Sequence, residues 1–232
     1  MGAALDDFRA SLAITRELLR IEEEFDDPPR STDSLAVQGL RGGATVLTVA
    51  AFEDFMEAMF LEQLGALDGS PPPIPLDSLP FALQFENMHS SLNRALRGPR
   101  YLQTQKVERL PAIRIAATRL VEERIDPSAM SEVHGNPNSD AVKRLFRSVG
   151  QSAVFDTMRP RYEERVGPIA ETFLQDYLDH IVGNRHVVAH TGSALNISRK
   201  DLRDWVEFID LLAELMDEEL ATVIDGILHP AP

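Results

Sequence analysis

The sequence predicts an all-α fold, an antiparallel bundle of helices gathered in one domain. Three observations carry this. Apolar residues recur at three- and four-residue intervals over long stretches, no segment alternates apolar and polar residues as a half-buried strand would, and the late connections are short.

The elements follow in order. Residues 6–24 set Phe8, Leu12, Leu19 and Ile21 at near-helical spacing and end in an acidic run from Glu22 to Asp27, where Pro28 and Pro29 stop the helix. Residues 34–43 read as a connection. A long helix is expected over 44–64, where Val46, Val49, Phe52, Met56, Met59 and Phe60 form a continuous apolar stripe. Gly65 and Gly69 weaken its end, and Ser70-Pro71-Pro72-Pro73-Ile74-Pro75 is a break. Residues 79–95 read as helix up to the interruption at Gly98-Pro99, and 107–123 as another with Pro111 near its first turn. Residues 134–139 form a turn-rich loop, from which Ser139 is expected to cap a helix through Ala141, Val142, Leu145 and Phe146.

Two helices close the chain. One spans 169–189, with Phe173, Tyr177 and Ile181 on one face. The other is entered through the capping-box-like Ser198-Arg199-Lys200-Asp201 and carries Leu202, Val206, Ile209, Leu212 and Leu215. Residues 1–43 are then an N-terminal helix and connection, 44–225 the helical domain with 67–137 as its elaboration, and 226–232 a C-terminal tail.

Composition bounds the function. A chain of 232 residues, 44% hydrophobic and 26% charged, fits a soluble globular protein. It has no run of apolar residues long enough to span a bilayer. Its first twenty residues lack the uninterrupted apolar core of a signal peptide, so a cytoplasmic location and no membrane association are expected. Without cysteine there are no disulfides, thiolate metal sites or cysteine nucleophiles. A net charge of −14 argues against indiscriminate nucleic-acid binding. The charge is uneven, however. Arg94, Arg97, Arg100, Lys106, Arg109, Arg114 and Arg119 stand against Glu108 in one stretch, whereas 201–225 is acidic apart from Arg203. The basic stretch permits local contact with RNA, although a solvated helix face with internal ion pairs is the plainer and favoured reading.

The stretch that carries chemistry is His180-Ile181-Val182-Gly183-Asn184-Arg185-His186-Val187-Val188-Ala189-His190-Thr191-Gly192. It ends a helix, with Gly192 suited to a left-handed cap. Arg185 and His190 sit about 140° apart on an ideal helix, so both reach one ligand only in a groove beside the helix end. The negative end of the helix dipole favours a cationic ring at His190. A proton-moving imidazole beside a permanent guanidinium is the pair that phosphodiester cleavage needs. A structural ion pair at Arg185 and a capping histidine at His190 are the plainer alternatives. His186 and His190 at i, i+4 also suit two ligands of a zinc ion, but no His-Glu-x-x-His and no third ligand at a recognised spacing accompany them. No metal and no cofactor are expected, and nucleophile-elbow, Walker and dinucleotide motifs are missing.

Asn184-Arg185-His186-Val187-Val188-Ala189-His190 resembles the Arg-x4–6-His motif of HEPN domains, with His186 as the polar residue that follows the arginine. Residues 196–206 resemble the loop and last helix of the RiboL-PSP-HEPN subgroup. Gly135-Asn136-Pro137-Asn138-Ser139-Asp140, with Val142 to Phe146, resembles its preceding segment, and Phe52-Glu53-Asp54-Phe55 its first core helix. The likeness covers about residues 45–220. It implies a HEPN-like antiparallel bundle with extra helices at the N-terminus and in the middle, often a homodimer whose two motifs face each other across a cleft. It implies a metal-independent endoribonuclease acting on single-stranded RNA, in a toxin–antitoxin, phage-defence or RNA-processing setting, with an antitoxin protein as a further partner. Arg185 would stabilise the scissile phosphate and His190 would transfer the proton of the attacking 2′-OH. His186 and Asn184 would be auxiliary contacts, and Glu53 a supporting polar residue or a solvated carboxylate. The alternative is a non-catalytic HEPN module that binds RNA, nucleotide or a partner protein.

Overall fold

The computed structural model describes residues 2–71, 74–96 and 109–230, and all regular structure among them is helical. The helices are α1 (Ala3–Glu22), α2 (Ser34–Asp68), α3 (Phe81–Leu96), α4 (Leu110–Val121), α5 (Pro127–Met130), α6 (Ser139–Ser148), α7 (Val154–Val166), α8 (Phe173–Thr191) and α9 (Arg199–Leu228), with a 3-10 turn at Leu76–Ser78. The expected interruption at Gly98-Pro99 and the expected first residues of the 107–123 helix lie outside the described residues.

The organising element is α2. Its 35 residues give it a length of about 52 Å, and α1, α8 and α9 all pack along it. A helix contacted on several sides must be apolar on several sides. Accordingly Val37, Val49, Phe52, Phe55, Met56, Met59, Phe60 and Leu64 are all buried. Thr45 and Thr48 are buried too, and their hydroxyls donate back to the carbonyls of Arg41 and Ala44 at 2.8 Å, leaving no orphaned polar atom. Phe8 of α1 meets Phe55 at 5.0 Å between ring centroids, and Phe60 meets Phe146 of α6 edge-on at 5.3 Å.

Residues 34–43 are not a connection; they are the first turns of α2. Each glycine in a helix costs roughly 1 kcal/mol against alanine, and Gly39, Gly42 and Gly43 hide the helix from a reading of local preference. Tertiary contacts override that cost. Val37 is buried, and the Arg41 guanidinium donates to Glu22 Oε1 at the end of α1 and to the Ile197 carbonyl before α9. Arg199 donates to the other Glu22 oxygen at 2.5 Å. Glu22 is fully buried between the two guanidiniums, so α1, α2 and the entry to α9 are locked at one charged joint.

Three further differences have physical causes. Helix α7 leaves no expectation in the sequence because Pro160 sits inside it, yet Val154, Phe155, Met158 and Tyr162 are buried. The cap of α6 is Asn138, whose side chain accepts from Ala141 N, and not Ser139. Helices α8 and α9 stand side by side across aromatic rings rather than backbone to backbone, with Tyr177 edge-on to Phe208 at 4.9 Å and His180 edge-on to Trp205 at 5.8 Å. The capping box at Ser198 and Asp201 is present as expected. Among the described residues no helix is long and apolar enough to cross a membrane.

Candidate active site at the end of helix α8

At 100° per residue, Arg185 lies on the core-facing side of α8, in line with Ile181, Val182 and Val188, which are all buried. Its side chain is half-buried, and its Nε is shielded from solvent with no hydrogen-bond partner. Nη1 donates to Asn136 Oδ1 over a long 3.4 Å. Among the described residues no carboxylate forms an ion pair with this guanidinium. Glu53 on α2 is near enough for the two charges to act on each other. Burial pushes the Glu53 carboxyl above its usual range, Arg185 draws it back, and Glu57 pushes it up again.

The loop that offers Asn136 is held in place from two sides and turned at a glycine. Val133 N donates to Glu57 Oε1 at 2.8 Å. Ser139 donates to Asp179 of α8 through both its backbone N at 2.7 Å and its hydroxyl at 2.8 Å. Gly135, at φ 92°, turns the chain where a side chain would be strained. Ser139, expected as a cap, thus fastens the loop to α8 two turns before the arginine.

His190 lies in the last turn of α8, which Gly192 closes in the left-handed conformation at φ 67° with its N–H bonded to the Val188 carbonyl. The His186 and His190 rings stand 4.3 Å apart between centroids, tilted by 59°, and both residues are exposed. Neither ring is hydrogen-bonded to another part of the described protein. No hydrogen bond joins Arg185 to His190 among the described residues; His186 is next to the arginine in sequence and against the histidine in space. The three make one strip around the final turns of α8. Asn184 is elsewhere: its amide donates to the His180 carbonyl at 2.8 Å, on the opposite edge of the helix. Beyond that edge a groove of about 510 Å³ is lined by Tyr162, Phe173, Tyr177 and Phe208, with Asp204 and Glu207 at its rim. The Tyr177 hydroxyl is pushed up to about 12 by burial and then by Asp204 and Asp201. That edge repels a phosphate; the histidine edge does not.

Gly42 faces Val188 where α8 approaches α2. A Cβ there would stand 3.1 Å from Val188 Cγ1, tighter than ordinary van der Waals contact. Val188 is one turn from Arg185 and half a turn from His190, so this close approach lies beside the motif-bearing end of α8. Among the described residues no group of three His, Asp or Glu side chains could hold a metal ion.

Sequence comparison decides the family: the chain matches RiboL-PSP-HEPN over residues 9–222. The chain belongs to the RiboL-PSP-HEPN family. No curated protein and no solved structure matched it. The RiboL-PSP-HEPN match runs from within α1 to within α9. It begins earlier than the residue motifs quoted above, which start in α2. That extent agrees with the rest of α1 being built into the core through Leu12 and Leu19. Asn136, Asp179 and Glu57 were not singled out from sequence as site residues. Asn136 lies in the loop segment that resembles the family, but nothing local in the chain links it to an arginine 49 positions away.

Proposed function

We propose that this RiboL-PSP-HEPN protein is a metal-independent endoribonuclease that cuts single-stranded RNA. The observation that carries the reading is an arginine whose Nε is unsatisfied and which, among the described residues, pairs with no carboxylate, beside two imidazoles that no described group hydrogen-bonds. Buried donors without partners are rare in folded proteins, so the Arg185 guanidinium keeps hydrogen-bonding capacity that the fold does not use. In the reaction the ribose 2′-OH gives its proton to His190 and its oxygen bonds to the adjacent phosphorus. The 5′-oxygen of the next nucleotide leaves and takes a proton, which on this reading comes from or through His186. The products are a 2′,3′-cyclic phosphate and a 5′-hydroxyl. Arg185 stabilises the extra negative charge on the phosphorus oxygens, Asn136 aims it, and Glu53 tempers its charge from behind. A homodimer that faces two such strips across one strand, held in check by an antitoxin protein, suits a toxin–antitoxin or phage-defence role.

The test is incubation of purified protein with single-stranded RNA in EDTA, followed by analysis of the fragment ends. Cyclic-phosphate ends are the expected outcome. RNA that is bound but uncut would sink the nuclease reading and favour the second, a non-catalytic module that grips RNA, nucleotide or a partner protein. What favours that second reading is that no hydrogen bond joins Arg185 to His190 among the described residues. Expression in growing cells separates the two cheaply: a nuclease arrests growth and the Arg185→Ala variant relieves the arrest.

A further inference from the structure

Helices α7, α8 and α9 leave a recess between them, away from His186 and His190. Helix α8 lends it Phe173 and Tyr177, one turn apart, and α7 lends it Tyr162. Helix α9 supplies Asp204, Glu207 and Phe208, whose i, i+3, i+4 spacing puts two carboxylates and a ring on one face. Phe173 and Tyr177 stack at 5.2 Å, and Phe208 stands nearly perpendicular to both, at 6.0 and 4.9 Å. Tyr162 packs 6.0 Å from Phe208. Tyr162 and Phe208 are buried, whereas Phe173 and Tyr177 are half-buried, so part of their surface stays open to the recess.

The charge at its mouth is negative. Lys200, itself exposed, donates to Asp204, but Glu207 is exposed and has no ion pair or hydrogen bond among the described residues. The neighbouring arginines are engaged elsewhere: Arg161 and Arg165 with Glu214, Glu218 and Glu219, and Arg203 with Glu23. Burial, then Asp204 and Asp201, push the Tyr177 hydroxyl up to about 12, so this ring stays neutral within a negative field.

We propose that the recess binds a small organic cation whose nitrogen is alkylated, a quaternary ammonium head being the simplest. A cation beside aromatic rings is drawn to their electron-rich faces, and the carboxylates at the rim add to that attraction. The walls select an alkylated nitrogen over a bare one. A primary ammonium that leaves water needs acceptors for three N–H donors, and the side chains below the rim offer ring surface, aliphatic surface and two phenol oxygens. An alkylated head buries apolar surface and makes no such demand. The volume of about 510 Å³ accommodates a whole small molecule, and walls from three helices suit a compact ligand better than an extended chain. The site is independent of the nuclease reading, since none of these residues belongs to the strip at Arg185, His186 and His190.

The test is saturation-transfer NMR on the full chain with choline as the probe. Irradiation of the protein's aromatic protons should attenuate the N-methyl signal of choline. The neutral isostere with carbon in place of nitrogen, and ethanolamine with its primary ammonium, should each bind about tenfold more weakly. Glu207→Gln alters an exposed residue and should weaken choline by about threefold while leaving the neutral isostere unaffected. Tyr177→Leu should weaken choline by about tenfold; if circular dichroism shows that this variant has lost helix, Glu207→Gln decides alone. No transfer to choline in large excess overturns the proposal. So does equal binding of choline and its neutral isostere, or of choline and ethanolamine, or a choline affinity that Glu207→Gln leaves unchanged.

Discussion

At the scale of single residues, the site is a set of small electrostatic choices around Arg185. The guanidinium has one long hydrogen bond to a neutral amide and a carboxylate nearby that does not pair with it. Glu53 bears the consequence. Burial outweighs the pull of Arg185 and leaves its carboxyl above the ordinary value of 4.5. A carboxyl raised in the folded state holds its proton more tightly than in the unfolded chain, so stability falls as pH rises through and beyond the ordinary value. Glu53→Gln removes that slope. The melting temperature of the variant relative to wild type should therefore climb between about pH 4 and pH 7, as measured by thermal unfolding; a gap that stays constant or shrinks contradicts this account of Glu53. Much at this scale was legible from sequence, because Arg185, His186 and His190 share one short helical stretch. Asn136 and Asp179 were not, since their roles arise only when a loop and a helix distant in sequence are pressed together.

Single helices show why reading by local preference succeeds in some places and fails in others. The entry to α9 was plain because its capping box is made of neighbours, Ser198 and Asp201. The start of α2 was hidden because its glycines argue against a helix and its support comes from Glu22 and Ile197, far away in the chain. The interior proline of α7 hid that helix in the same way. Gly42 is where the element scale meets the site. Gly42→Leu places a large side chain into the contact with Val188 and should cost about 1–3 kcal/mol in urea unfolding. Under the nuclease reading it should lower cleavage as well, since α8 must shift together with Arg185 and His190. A variant as stable and as active as wild type would show that α8 seats by other means.

Across the whole molecule, the net charge of −14 turns out to be organised rather than diffuse. The acids of α9 are matched by arginines of α1 and α7: Arg9 and Arg16 to Asp210, Arg9 and Arg165 to Glu214, Arg161 to Glu219. Of the basic stretch, Arg94 pairs with Glu132 and Arg119 with Asp68, while Arg97, Arg100 and Lys106 lie outside the described residues. The pairing makes a statement about pH. The Arg165 hydrogen bond, opposed by burial and reinforced by Arg9, holds the Glu214 carboxyl below its usual range. A depressed carboxyl contributes stability above its unfolded value and loses it as pH falls through the folded one. The urea midpoint should drop between about pH 5 and pH 3, and Glu214→Gln should flatten that drop; an equally steep loss in the variant would place the acid sensitivity elsewhere. The all-α class was readable in the sequence because period and composition are global properties. The pairing of α9 with α1 was not, because nothing in a chain written in one line records which face meets which.

The most direct test of the central claim is the cleavage rate of single-stranded RNA in EDTA, measured alongside RNA binding for wild type, His190→Ala and Arg185→Ala. The account predicts that His190→Ala keeps its fold and binds RNA but cuts at least about a hundredfold more slowly, and that Arg185→Ala loses both cleavage and part of its binding. Wild-type cutting by His190→Ala would contradict it.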